Sequence, residues 1–73
     1  MELSEVKAGL RVKVVFVGPT KGMIVHPAHL RARHIGACGK VTGIVPGHGG
    51  DVWWVSQDDG QVGAYCFDEF EPE

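Results

Sequence analysis

Residues 11–17 (RVKVVFV) place Val12, Val14 and Phe16 on one side and Arg11 and Lys13 on the other. That alternation has the period of a half-buried strand. Val15 and Val17 interrupt the polar side. That side is therefore expected to be partly covered, by this chain or by another. Residues 39–45 (GKVTGIV), 52–57 (VWWVSQ) and 61–67 (QVGAYCF) read as three further short strands. A brief fifth is expected near Phe70, after a turn over residues 68–71. The breaks between them are rich in glycine: Gly18-Pro19, Pro46-Gly47-His48-Gly49-Gly50 and Asp58-Asp59-Gly60. Asp-Gly predicts a tight hairpin because it accepts positive φ angles.

Residues 18–38 form a connection longer than most in a compact domain, and such loops often carry function. Within it, residues 26–33 (HPAHLRAR) can form a helical turn. Pro27 suits the first helical position and Gly36 a left-handed end. Short strands at close spacing with glycine turns predict an all-β sandwich or small barrel. In a chain of 73 residues a barrel is the economical choice, because closure removes exposed edges. The expectation is one domain, residues 1–73, built as a five-stranded SH3-like barrel with a long loop over about 18–38.

Composition narrows the class. The chain is 44% hydrophobic and carries 11 glycines and 4 prolines, too apolar for disorder and too rich in turns for a helical bundle. A core this small yields only ~3–5 kcal/mol, so oligomerisation is an expected support. No apolar run approaches the ~20 residues of a membrane-spanning helix. Glu2, Ser4 and Glu5 do not read as a secretory leader, and a cytoplasmic location with no membrane contact is the default expectation. The two cysteines, Cys38 and Cys66, are expected to be free.

Several residue patterns resemble a known layout. Gly9-x-x-Val12-x-Val14, Gly36-x-x-Gly39-x-Val41-x-x-Ile44 and Val55-x-x-Asp58-Asp59-Gly60 resemble the SH3-like small barrels, including their KOW-type segment. Val62-Gly63-Ala64-Tyr65 through Phe70-Glu71 is similar to their last strand and closing 3₁₀ turn. The resemblance implies a fold shared by accessory subunits, such as the photosystem I E-type subunit and the nitrile hydratase β-subunit barrel. The same shape serves the type II dihydrofolate reductases. Those build their pore from Val-Gln-Ile-Tyr, and this chain reads Val62-Gly63-Ala64-Tyr65, without the glutamine and isoleucine that contact ligand.

Charge is segregated along the chain. All seven basic residues (Lys7, Arg11, Lys13, Lys21, Arg31, Arg33, Lys40) lie between positions 7 and 40, and all nine acids lie outside that stretch. Folding either pairs these charges locally or leaves a polarised surface. Lys21, Arg31, Arg33 and Lys40 are the candidates for binding an anion or nucleic acid. Trp53 and Trp54 must point to opposite faces of a strand. Register with Val55 places Trp53 inside and Trp54 outside. Trp54 is then either half-covered by the long loop or free as an anchor for a partner, with Tyr65 extending the same patch.

Candidate chemistry is sparse. His26, His29, His34 and Cys38 offer four metal-ligand types, but their spacing matches no standard zinc module, and no metal or other cofactor is expected. No phosphate loop, dinucleotide fingerprint or nucleophile elbow occurs, so no catalytic residue is assigned. The first functional expectation is a non-catalytic interaction module. It would self-associate or dock as an accessory subunit through Trp54, Tyr65, Val15 and Val17. A nucleic-acid or anion binder is the second, and an oligomeric enzyme with an interface site the third.

Overall fold

A computed structural model describes residues 3–20 and 22–73. Five strands form one antiparallel sheet: β1 (Arg11–Val14), β2 (Cys38–Ile44), β3 (Val52–Gln57), β4 (Val62–Cys66) and β5 (Phe70–Pro72). Their order across the sheet is β4-β3-β2-β1-β5. The expected five-stranded all-β fold is present. The sheet ends at β4 and β5, which a 3₁₀ turn over Phe67–Glu69 links in the chain. The short helix α1 (Pro27–Arg31) lies in the long connection and packs against β4. Pro27 occupies the first helical turn and His26 is the N-cap.

Alternation along the strands produces the core. Val12, Val14, Val41, Val55, Tyr65 and Phe70 are fully buried in one cluster, and Trp53 packs against it. The opposite side of the β3-β4 pair carries a second, smaller cluster of Val45, Val52 and Ala64. Met23 and Val25 of the long connection pack onto that cluster together with Trp54. The two tryptophans thus face opposite ways, as strand geometry demands, and the connection acts as the lid of a second core.

The structure corrects two local expectations. β1 stops at Val14, not Val17, because the N–H groups of Val15 and Phe16 both donate to the Glu69 carbonyl, at 2.9 and 3.2 Å. Phe16 consequently turns outward and is 54% exposed, whereas Val12 and Val14 stay in the core. Gly36 does not end α1, which passes into Ala32 in ordinary right-handed geometry. Instead its N–H donates to the Val14 carbonyl while the Val14 N–H donates to the Ala37 carbonyl, with Gly36 at φ +90°. Two residues opposing one around a left-handed glycine make a G1 bulge. The hairpin expected at Asp58-Asp59-Gly60 joins β3 to β4. Only Gly60 there has positive φ, and Gln57 N–H donates to the Gln61 carbonyl while Gly60 N–H donates to the Gln57 carbonyl. This is the three-residue hairpin with a glycine bulge.

Strand β2 contains a close approach that glycine alone allows. A Cβ on Gly39 would strike the Ser56 carbonyl oxygen and lie 2.9 Å from Gln57 Cα, both rigid backbone. Gly43, in the same strand, faces open space. Gly39→Ala is expected to cost ~2 kcal/mol or more, and Gly43→Ala to stay within ~0.5 kcal/mol. Urea unfolding of the two variants checks this; equal costs would overturn the assigned β2-β3 contact.

Candidate functional site

The largest polar investment in the fold is internal. Glu69 and Arg33 form an ion pair, and their side chains are 3% and 1% exposed. The other Glu69 contacts fix backbone: Oε1 accepts the Cys66 N–H at 2.8 Å and Oε2 the Gly18 N–H at 2.5 Å. The Arg33 guanidinium stands 5.4 Å from the centre of the Tyr65 ring, within cation–π range. The Tyr65 hydroxyl donates to Gln57 Oε1 and accepts the His34 N–H at 3.2 Å, and Gln57 Nε2 donates to the Ala32 carbonyl at 3.1 Å. Burial pushes the Tyr65 hydroxyl above its ordinary range. Among the described residues, Arg33 Nε has no hydrogen-bond partner. The network thus ties the end of β1, the segment after α1, β3, β4 and the closing turn to one another.

This network removes two candidate binding residues from the surface. Tyr65 is fully buried and pairs across strands with Trp53, whereas Trp54 pairs with Ala64. It therefore does not extend a Trp54 patch. Arg33 is consumed by Glu69 and is not available to an external anion. Arg31 is exposed at the end of α1, and Lys40 is exposed on β2 opposite Arg11. Lys21 lies outside the described residues. The expected basic loop is thus reduced to residues on separate elements.

Charge segregation in sequence becomes pairing in space. Arg11 makes a bidentate bridge to Asp58 at 2.8 and 2.9 Å and a second bridge to Glu73 at 2.9 Å. Each of these bridges, like Arg33–Glu69, joins the basic stretch to an acidic flank. The topology causes this, because β1 lies between β2 and the C-terminal strand β5. The guanidinium holds the Asp58 and Glu73 carboxyls below their usual range, and those carboxylates raise Arg11. The Gln61 backbone N–H does the same for Asp59.

Trp54 is half-buried, with the His29 ring edge-on to it at 4.8 Å between centroids. His29 Nδ1 donates to the Val62 carbonyl at 2.8 Å, which fixes the ring against β4. Val17 also turns inward and packs against the main core. Of the expected contact residues, Val15 is the one left clearly open, at 41% exposure. Among the described residues, four other large apolar residues are exposed, Phe16, Ile24, Ile35 and Ile44, and of these Phe16 and Ile35 (65%) lie next to Val15 or the bulge beside it. Val15 and Ile35 flank the bulge bond between Gly36 and Val14. The available signal for Ile35 was its place immediately before a turn glycine, where no strand face exists to bury it.

A shallow cleft of about 190 Å³ is lined by residues including Met23, His48, Asp51, Val52 and Cys66. It is smaller than the ~300 Å³ of an ordinary small-molecule site. Burial raises the Cys66 thiol, and the Glu73 carboxylate raises that of Cys38. Both shifts lower the share of thiolate. His26, His29, His34 and Cys38 do not converge, and no group of three or more potential metal ligands occurs among the described residues. No helix is long and apolar enough to cross a membrane among those residues. No family model, curated protein or solved structure matches this chain.

Two outcomes follow from these charges. Glu69→Gln leaves the Arg33 charge buried without its counter-ion and is expected to cost ~3 kcal/mol or more. That is comparable to what a core of this size supplies, ~3–5 kcal/mol. Urea titration followed by circular dichroism would read it; a loss under ~1 kcal/mol would overturn the central place of this pair. Asp58 and Glu73 have depressed folded values, so their contribution is present above the unfolded carboxylate range near pH ~4 and fades as pH falls below it. Thermal unfolding is therefore expected to weaken below pH ~4, and less steeply in Arg11→Gln. An identical acid limb in that variant would rule out the contribution of the Arg11 bridges.

Proposed function

We propose that this chain is a small non-catalytic interaction module whose contact surface is the apolar group at the end of β1, with a second copy of itself as the partner. The supporting observation is the exposure of Phe16, at 54%, beside Val15 and across the bulge from Ile35. The valines one turn of the strand earlier are completely buried. Exposed apolar residues that cluster, rather than scatter, mark contact surfaces. Aromatic residues are the usual anchors of such surfaces. The open edge of β5 is a poorer contact, because Glu71, Pro72 and Glu73 give it charge and remove an N–H donor, which blunts strand addition.

Light scattering at low and high salt tests the reading. The expected result is a mass above that of one chain, insensitive to salt. Phe16→Ser with Ile35→Ser should return it to the mass of one chain while shifting unfolding by no more than ~1 kcal/mol. A single-chain mass for the unmodified protein, or an unchanged mass for the variant, would overturn the proposal.

A further inference from the structure

The four histidines divide into two chemical classes. His29 Nδ1 faces the Val62 carbonyl at 2.8 Å and His34 Nδ1 faces the Ala32 carbonyl at 3.0 Å. Carbonyls only accept, so these two nitrogens carry protons. His26 and His48 do the reverse. His26 Nδ1 accepts the Ala28 N–H and His48 Nε2 accepts the Ile24 N–H, each at 3.1 Å. A neutral imidazole has one bare nitrogen, and an imidazolium has none. Proton uptake thus leaves the His29 and His34 bonds intact, whereas at His26 and His48 it sets one N–H against another.

Both vulnerable bonds hold the same stretch of the long connection. The His48 bond ties Ile24 to the turn between β2 and β3. The His26 bond caps α1, the element that packs on β4. Between them runs Val25, and beside them Met23, the residues that cover the second core and pack with Trp54. We infer that this stretch is an acid-released latch: protonation of His26 and His48 frees residues 24–28 from the sheet and uncovers Trp54.

Other groups flank the two rings. Asp51 lines the cleft beside His48 and is exposed. Cys66 lines the same cleft, and its raised thiol adds no charge. His26 faces His29, with ring centroids 6.2 Å apart. Ile24 is already 79% exposed and contributes little apolar burial to keep the stretch closed. The device is independent of the contact surface at Phe16.

Amide hydrogen exchange by NMR, corrected for the intrinsic pH dependence of exchange, tests the latch. Between pH ~7.5 and ~5.5, the range in which imidazoles take up protons, the Ile24 and Ala28 amides should lose about tenfold or more in protection. The Val14 and Val55 amides of the core should not change. His26→Asn with His48→Gln supplies carbonyl acceptors that do not titrate, and its protection at Ile24 and Ala28 should stay flat over the same range. Unchanged protection in the unmodified protein would overturn the latch. So would a parallel loss at the core amides, or the same loss in the double variant.

Discussion

The ion pair between Glu69 and Arg33 is the constraint around which the rest of the molecule is arranged. A charge in a protein interior is costly unless a counter-charge pairs it and hydrogen bonds support it. Glu69 meets that condition with an arginine and two backbone N–H groups, those of Cys66 and Gly18. The consequences spread outward. Its carbonyl draws off the N–H groups of Val15 and Phe16, which ends β1. Its side chain holds the start of the long connection, and its partner Arg33 holds the end. A connection anchored at both ends by one buried carboxylate can be long without being loose.

That anchoring explains how so small a chain sustains two clusters of buried apolar groups. The main cluster is the inner side of the sheet. The second exists because Met23 and Val25 are laid over Val45, Val52 and Ala64. Trp54 belongs to this second cluster, and His29 closes over its edge. The connection is accordingly a structural element in its own right, and two of its ties are bonds to histidine nitrogens. A further exposed apolar group lies elsewhere, where the Glu69 carbonyl turns the chain out of the sheet at Phe16.

The arrangement of charge follows the same logic. Three ion-pair partners, Asp58, Glu73 and Glu69, come from the acidic flanks, and two arginines, Arg11 and Arg33, from the basic stretch. A surface carrying one sign would have required the basic residues to share a face of the sheet without acidic neighbours. The sheet order prevents this, because it inserts β1 between β2 and the C-terminal β5.

Much of the fold was legible in the chain itself. Alternation at Val12 and Val14 and at Val41, Val55 and Tyr65, together with glycine at the turns, specifies short strands with one buried side. These signals are local: they concern residues two apart on one strand, or a backbone angle at one glycine. Pro27 after His26 likewise announced a helical turn. The strand positions were clear for the same reason, and the adjacent tryptophans had to face opposite ways. The fates of particular polar and aromatic residues were not legible. Glu69 looked like one acid among several in a C-terminal run, and Arg33 like one base in a loop, until folding brought into contact two groups 36 positions apart in the chain. Phe16 continued an alternating pattern that a distant carbonyl interrupted. Tyr65 was placed beside Trp53, not Trp54, by strand register. Local periodicity fixes which side of a strand a residue faces, but only the tertiary structure decides what waits on that side, because burial, pairing and exposure depend on neighbours remote in sequence.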